Sequence, residues 1–320
     1  MPTFRKGFRA VADSAFQRYV LAMSKRVVIY GVSGFVGKGL ASMLASEGWE
    51  VIGVSRKGTG AGAGIAKWTT PAETDLSDCE AVVNLSGEPI DQRWTAANKR
   101  AFHSSRIGVT DDIVKKISAL NPEHRPKVLV NASAVGYYGG RGDEVLDETA
   151  SRGDGYLADL CAEWENAALP AEALGVRVVR LRIGVVLGRG GKAFEKLLTV
   201  FKAGIGGRLG NGKQWTPWIH VDDLRRAIVF SLNHPELHGA VNGTAPNPET
   251  NGELTCKFAK AVGRPAFFPV PGWVLKLALG GFGGALLQGQ RAVPKQLLQA
   301  GFEFRFAKLE DALRDLVTNG

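Results

Sequence analysis

Gly31, Gly34 and Gly37 stand at the spacing G-x-x-G-x-x-G, with Val32, Ser33, Phe35 and Val36 between them. The chemistry this pattern permits is the holding of a pyrophosphate. Gly31 makes a tight turn, Gly34 lets backbone approach phosphate oxygens, and Gly37 lets a helix pack closely on its strand. Context gives the spacing its meaning. Residues 25–30 (KRVVIY) form a short apolar, β-branched run of the kind that makes a buried parallel strand. A helical pattern through Leu40 and Leu44 follows, with Gly48 as its stop, and a second strand is expected at 49–55. Strand, glycine loop and helix within one βαβ unit offer unpaired N–H groups and a partial positive charge to phosphates.

The end of the second strand selects the nucleotide. An NAD site places Asp or Glu there to accept from the ribose 2′-hydroxyl. This chain has Ser55-Arg56-Lys57. A carboxylate repels a 2′-phosphate, whereas a guanidinium binds it and stacks on adenine. NADP(H) is the expected cofactor; the other reading of Arg56 is a solvated surface residue.

The elements that must position these groups continue as alternating strands and helices. Strands are expected at 81–85, 127–131 and 176–182, with one helix or two over 96–120 and another over 156–174. That repetition implies an α/β fold, a Rossmann-type doubly wound parallel sheet whose ligands lie beyond the carboxyl ends of the strands. Ser86, Gly87, Ser133 and Gly184 all fall at such ends and should line one crevice. Beyond Arg182 the glycine-dense loops 188–191 and 204–212 flank a helix at 193–203, as a mobile lid would need; tight turns serve as well for the first loop. Asp222 is expected to cap a helix at 224–232, and His220 to orient a loop. Trp215 and Trp218 are read equally as a substrate wall or as core. The last segment carries helices at 273–279 and 294–300, a strand at 303–306 and a terminal helix. Its apolar stretch 278–287 serves a substrate pocket, a dimer face or, by default, core. The expected division is a Rossmann domain over 25–190, to which 213–243 return, and a smaller α+β substrate lobe from 191–212 and 244–320.

Composition bounds the rest. The chain has 320 residues, 45% hydrophobic and 22% charged, which excludes a disordered chain or a fibre. No apolar run is long enough for an ordinary membrane span. Cys79, Cys161 and Cys256 lie far apart, which argues against a disulfide framework or a zinc site; no metal is expected. Of the net charge of +9, more than half sits before the glycine loop, where Arg5, Lys6, Arg9, Arg18, Lys25 and Arg26 face Asp13 alone. No other basic run is interleaved with aromatics, so neither nucleic acid nor membrane is an expected partner. Residues 1–24 read as an unstructured leader with Met23 as the functional start, or as a transit peptide, since they are Arg-bearing and poor in acids. The cytoplasm is the expected compartment, an organelle the alternative. A small-molecule substrate is expected, and a homodimer is left open.

Over more than nine tenths of its length the chain resembles the extended short-chain dehydrogenases/reductases, in their "epimerase family" branch with a small C-terminal domain of unknown function. The stretches that carry the resemblance are GVSGFVG, NLSGEPI (84–90), SRIGVT (105–110), ASAVGYYGG (132–140), AEWE (162–165), RIGVVLGRGG (182–191), PWIHVDDL (217–224) and QRAVPKQLLQAGFEF (290–304). The resemblance implies that the loop from Gly31 to Gly37, with Ser55 and Arg56, binds the adenosine end. It also places Leu85 and Ser86 along the dinucleotide and Arg106 near its phosphates or adenine side; the other reading of Arg106 is a surface ion pair.

The same resemblance raises the catalytic question. The superfamily uses a Ser or Thr with a Tyr and a Lys spaced Y-x-x-x-K, four apart on one helix face. Ser133 and Tyr156 match the first two, but Tyr156-Leu-Ala-Asp-Leu160 has leucine at the lysine position. An unassisted phenol with a pKa of about 10 is only about 0.1% ionised at pH 7. Three readings follow: Tyr156 acts as a neutral general acid; Tyr137 or Tyr138 supplies the proton, although both are read first as packing residues; or the cofactor is held without turnover. The first gives an oxidoreductase or epimerase acting on a small carbonyl or hydroxyl compound or a nucleotide sugar. The last gives an NADPH-dependent sensor or scaffold.

Overall fold

The computed structural model describes residues 25–318, so the leader expected at 1–24 lies outside the described residues. The first strand, β1 (Arg26–Tyr30), runs into the glycine loop and helix α1 (Phe35–Ser46). Next come β2 (Glu50–Val54), β3 (Lys67–Thr69) and β4 (Ala81–Asn84). Helix α2 (Ala96–His103) and helix α3 (Val109–Ser118) follow, then β5 (Val128–Ala134), the two-residue β6 (Val145–Leu146), helix α4 (Tyr156–Ala168) and β7 (Arg177–Ile183). Beyond β8 (Val185–Leu187), β9 (Trp215–Thr216) and β10 (Trp218–His220), β11 (Gly239–Gly243) closes the main sheet. The sheet order is β11-β7-β5-β4-β1-β2-β3, and every pairing in it is parallel. This is the doubly wound α/β sheet that the strand–helix alternation implied.

Period-two alternation explains why helices cover both faces. Val27 and Ile29 of β1 face a cluster with Leu40 and Leu44 of α1 and Leu224 and Ile228 of the helix Val221–Asn233. Val28 and Tyr30 face the opposite cluster, with Ile113 and Ile117 of α3. A third cluster buries Phe194, Phe201, Trp218, Phe258, Leu309 and Leu313 together. Trp218 is therefore core. Trp215 is half-buried, its Nε1 donating to Asp143 at 2.8 Å and its ring facing the Arg291 guanidinium at 4.4 Å.

Three expected elements differ. The helix expected over 156–174 ends at Ala168, because Pro170 has no N–H to continue it and opens a separate turn, Pro170–Ala173. The helix expected from 224 begins at Val221. Its N-cap is His220, whose Nδ1 accepts from the Asp222 N–H at 3.1 Å, so Asp222 is not the cap and instead pairs with Arg225 at 2.9 Å. No strand forms over 303–306. The N–H groups of Arg305 and Phe306 donate to the buried Asp223 carboxylate at 3.0 and 2.8 Å, so a side chain takes the place of a neighbouring strand.

Candidate dinucleotide site and active-site cavity

The turn after β1 is built for close approach. Gly31 has φ +75°, and a Cβ there would lie 2.8 Å from the Leu85 carbonyl carbon. At Gly37 it would lie 2.6 Å from the Gly31 oxygen and 2.7 Å from Val32 Cα. Helix α1 therefore abuts the turn with only hydrogen between them. Gly34 is its N-cap with no side-chain cap, and its first turn holds no acid, so its leading N–H groups face outward beside no competing carboxylate.

A cavity of about 560 Å³ opens there, lined by Gly31, Ser33 and Gly34, by Ser55 and Arg56 past β2, and by Leu85 and Ser86 past β4. Seven of the expected cofactor residues thus share one cavity. Arg56 is exposed and has no ion pair among the described residues. Phe35 and Val36 are placed differently. The Phe35 ring lies against Gly188 and Gly191, where a Cβ would meet it at 2.6 and 2.7 Å, and Val36 packs into the core. Both can offer a ligand their N–H groups only, for their carbonyls accept from Arg225 at 2.9 and 3.2 Å. Arg225, which the sequence reading did not single out, thus sets a guanidinium on the first turn of α1.

Between α2 and α3 the helix widens into a π-turn, Ser104–Gly108, of the kind that often marks functional sites. It carries Ser105 and Arg106 toward the loop after β4. The Ser105 hydroxyl accepts from the Glu88 N–H at 2.9 Å, and Arg106 Nη2 donates to the Glu88 carbonyl at 3.0 Å. The Arg106 guanidinium lies 5.2 Å from the Trp164 ring centroid, with Tyr156 nearby and no carboxylate in ion-pair range among the described residues. It stands against Gly87, where a Cβ would meet its Cζ and Nη2 at 3.2 Å. Beneath it Asn84 donates to Asn131 at 2.8 Å and to Thr110 at 3.1 Å, and Trp164 Nε1 donates to Thr110 at 3.1 Å. This buried mesh fixes the ends of β4 and β5.

Ser133 and Tyr156 are not joined. Ser133 is buried on β5 and donates to Glu165 Oε1 at 2.8 Å. The same carboxylate takes two bonds from Arg182, at 2.7 and 2.9 Å, while Arg182 also donates to the Tyr138 hydroxyl at 3.0 Å. Tyr138 is fully buried, donates to Asn242 at 2.8 Å, and is pushed up to about 12 by burial; it packs and does not titrate near neutrality. Tyr137 is half-buried, with the Arg182 guanidinium 3.5 Å from its ring centroid.

Tyr156 begins α4 and lines a second cavity, of about 180 Å³, with Trp94, Gly136, Asp154, Gly281 and Gln288. Its ring lies 5.0 Å from that of Trp94, and Lys99 Nζ stands 4.4 Å from its centroid. Its hydroxyl is buried with no hydrogen-bond partner among the described residues. Burial raises its pKa, opposed in part by the Arg106 charge. Leu160, at the missing lysine's position, is buried against Phe102, Ile107 and Trp164. Residues of the segment 277–290 complete its wall. Arg93 donates to the carbonyls of Leu277 and Ala278 at 2.9 and 3.3 Å, and a Cβ on Gly281 would lie 2.5 Å from the Trp94 ring.

The profile of the NAD dependent epimerase/dehydratase family matches residues 27–242, and that of the domain of unknown function DUF1731 matches residues 270–316. A protein of Arabidopsis thaliana named epimerase family protein SDR39U1 homolog, chloroplastic, is 39% identical over 300 residues, covering 91% of this chain and 86% of its own. The epimerase family protein SDR39U1 of Homo sapiens is 37% identical over 298 residues, covering 91% of this chain and 99% of its own. The crystal structure of the human protein with NADPH aligns at a TM-score of 0.84 and 36% identity, covering 92% of this chain and all 100% of that one.

Proposed function

The chain belongs to the NAD-dependent epimerase/dehydratase family, and from that premise we propose that it is an NADP(H)-dependent oxidoreductase or epimerase acting on a small carbonyl or hydroxyl compound. The observation that carries the reading is a turn in which no Cβ fits at Gly31 or Gly37, sharing one cavity with Arg56, which has no ion pair among the described residues. The NADPH held by the human relative supports it. The leading N–H groups of α1 would grip the pyrophosphate, Ser55 and Arg56 would hold the phosphorylated adenosine ribose, and Leu85 and Ser86 would flank the chain between. When bound, the cofactor supplies or accepts hydride. Arg56→Ala is expected to weaken NADPH binding about tenfold to a hundredfold and leave NADH binding unchanged, the loss typical of a charged hydrogen bond. Titration of both coenzymes reads this directly.

Tyr156 is the candidate general acid. Tyr156 lines the cavity that a substrate would fill, and its buried Oη has no partner among the described residues. With Leu160 in the core, positive charge reaches this phenol from other elements, from Lys99 over its face and from Arg106 against Gly87. Burial keeps the hydroxyl protonated, so Tyr156 would give a proton and contribute no pH limb below the ordinary tyrosine value of about 10. Tyr156→Phe is expected to lower kcat/KM about a hundredfold to ten-thousandfold, the usual weight of a positioned acid. Lys99→Ala should lower it less. NADPH oxidation across a panel of carbonyl compounds and nucleotide sugars tests both.

A second reading, a sensor that holds NADPH without turnover, rests on Ser133, whose hydroxyl proton is committed to Glu165 rather than aimed at a substrate. It is chosen if NADPH binds tightly, no compound in the panel is turned over, and Tyr156→Phe leaves binding unchanged.

A further inference from the structure

Five large apolar side chains of the C-terminal lobe are left in water, Ile205, Phe267, Phe268, Trp273 and Leu277, each 58% to 78% exposed. They form one face. Segments 205–210 and 267–270 run together, with Phe268 N donating to Gly206 O at 3.3 Å and Val270 N to Arg208 O at 2.9 Å. Pro271 ends that pairing and opens the helix Gly272–Leu279, on which Trp273 and Leu277, four apart, share the outer side while Leu275 turns inward.

Along the stretches of chain that carry these residues the charge has one sign. No Asp or Glu occurs between Glu253 and Glu303, or between Glu195 and Asp222. Lys202, Arg264 and Lys276 fall in these stretches, are exposed, and have no ion pair among the described residues. Exposed Trp and Phe with a rim of unpaired cations is the chemistry of a surface that lies in a bilayer interface, with rings at the headgroup boundary and cations on lipid phosphates. A second copy suits it poorly, because a twofold pairing would set the cationic rim against itself. No helix among the described residues is long and apolar enough to cross a membrane, so the contact would be one of surface only.

We propose that this face docks on an anionic phospholipid bilayer, with Trp273, Leu277, Phe267 and Phe268 entering the headgroup boundary and Lys202, Arg264 and Lys276 meeting lipid phosphates. Docking would place the Trp94–Tyr156 cavity, whose wall Gly281 continues the same segment, beside the membrane. The proposal is independent of the cofactor assignment.

The test is co-sedimentation of the full-length chain with vesicles of phosphatidylcholine alone or with phosphatidylserine added. The expected result is binding only to the anionic vesicles, reduced by salt. Partitioning should fall at least about tenfold in Trp273→Ser/Leu277→Ser, and about fivefold for each cation removed in Arg264→Gln/Lys276→Gln. Residues 1–24 are themselves basic, so the readout is the difference between full-length chains that all keep them. NADPH titration and circular dichroism of each variant show that the fold is retained. No binding to anionic vesicles, or equal binding by all three chains, overturns the proposal. So does a concentration-dependent dimer that the same substitutions dissociate, which would assign the face to a second copy.

Discussion

NADPH affinity should fall about a hundredfold when Gly37 is replaced by alanine, the loss that an ångström of misplacement brings to a positioned group. The added methyl would lie 2.6 Å from the Gly31 oxygen and 2.7 Å from Val32 Cα, and both are backbone atoms with no side chain to swing aside. Either α1 lifts from the turn or the turn opens, and both pull the leading N–H groups off a pyrophosphate. Gly48→Ala is the control. Gly48 has φ +84° with open space around it, so alanine there strains the backbone and lowers stability by about 1 kcal/mol while leaving the cavity intact. Titration with NADPH beside thermal unfolding separates the two: Gly37→Ala should lose affinity, Gly48→Ala stability alone. Equal affinities in the two variants would remove the glycine cradle from the account.

The largest effect on stability is expected at Glu165. Its carboxylate is buried and takes Nε and Nη2 of Arg182 at 2.7 and 2.9 Å, while Arg182 is itself only 3% exposed. Burial alone would favour loss of the Arg182 proton, but Glu165 holds the guanidinium firmly protonated. Glu165→Leu therefore leaves a charged guanidinium in the protein interior, at an expected cost of about 3–5 kcal/mol. The double variant Glu165→Leu/Arg182→Met should regain part of that loss, because an apolar pair of similar volume removes the deeper of the two stranded charges; the Arg180 guanidinium, 3.4 Å from Glu165 and less buried, still loses its partner. Denaturant unfolding of the two variants decides it. A double variant no more stable than Glu165→Leu would mean that the pair contributes packing rather than charge balance. Ser133 loses its acceptor in both, so NADPH turnover in the double variant also shows whether freeing that hydroxyl changes the chemistry.

The parts of this molecule that could be read from sequence are those that only one residue type can fill. Gly31 needs a positive φ and Gly37 the absence of a Cβ, so the turn and its flanking strand and helix announced themselves. Apolar runs of β-branched residues marked the strands of a sheet covered on both faces. What escaped was set by contacts between distant segments. Arg225 reaches the Phe35 carbonyl across 190 positions, and nothing near either residue signals the bond. The π-turn at Ser104–Gly108 widens one turn between two helical segments, and no residue type in SSRIG marks it. Glu165 lies in a helix whose pattern leaves its partner unnamed until β7 brings Arg182 beside it. The strand expected over 303–306 failed for a similar reason, since Asp223 on another helix supplied the acceptors. The replacement of the superfamily lysine by Leu160 was plain in the chain, but the cations that reach Tyr156 from 99 and 106 became visible only once α2, the π-turn and α4 were packed together.

The most direct test of the central claim is to titrate the purified chain with NADPH and with NADH under identical conditions. A site in which α1 holds the pyrophosphate and Arg56 the 2′-phosphate predicts that NADPH binds at least about tenfold more tightly, and that the preference vanishes in Arg56→Ala. Equal affinity for the two coenzymes would contradict the role of Arg56, and binding of neither would contradict the site itself.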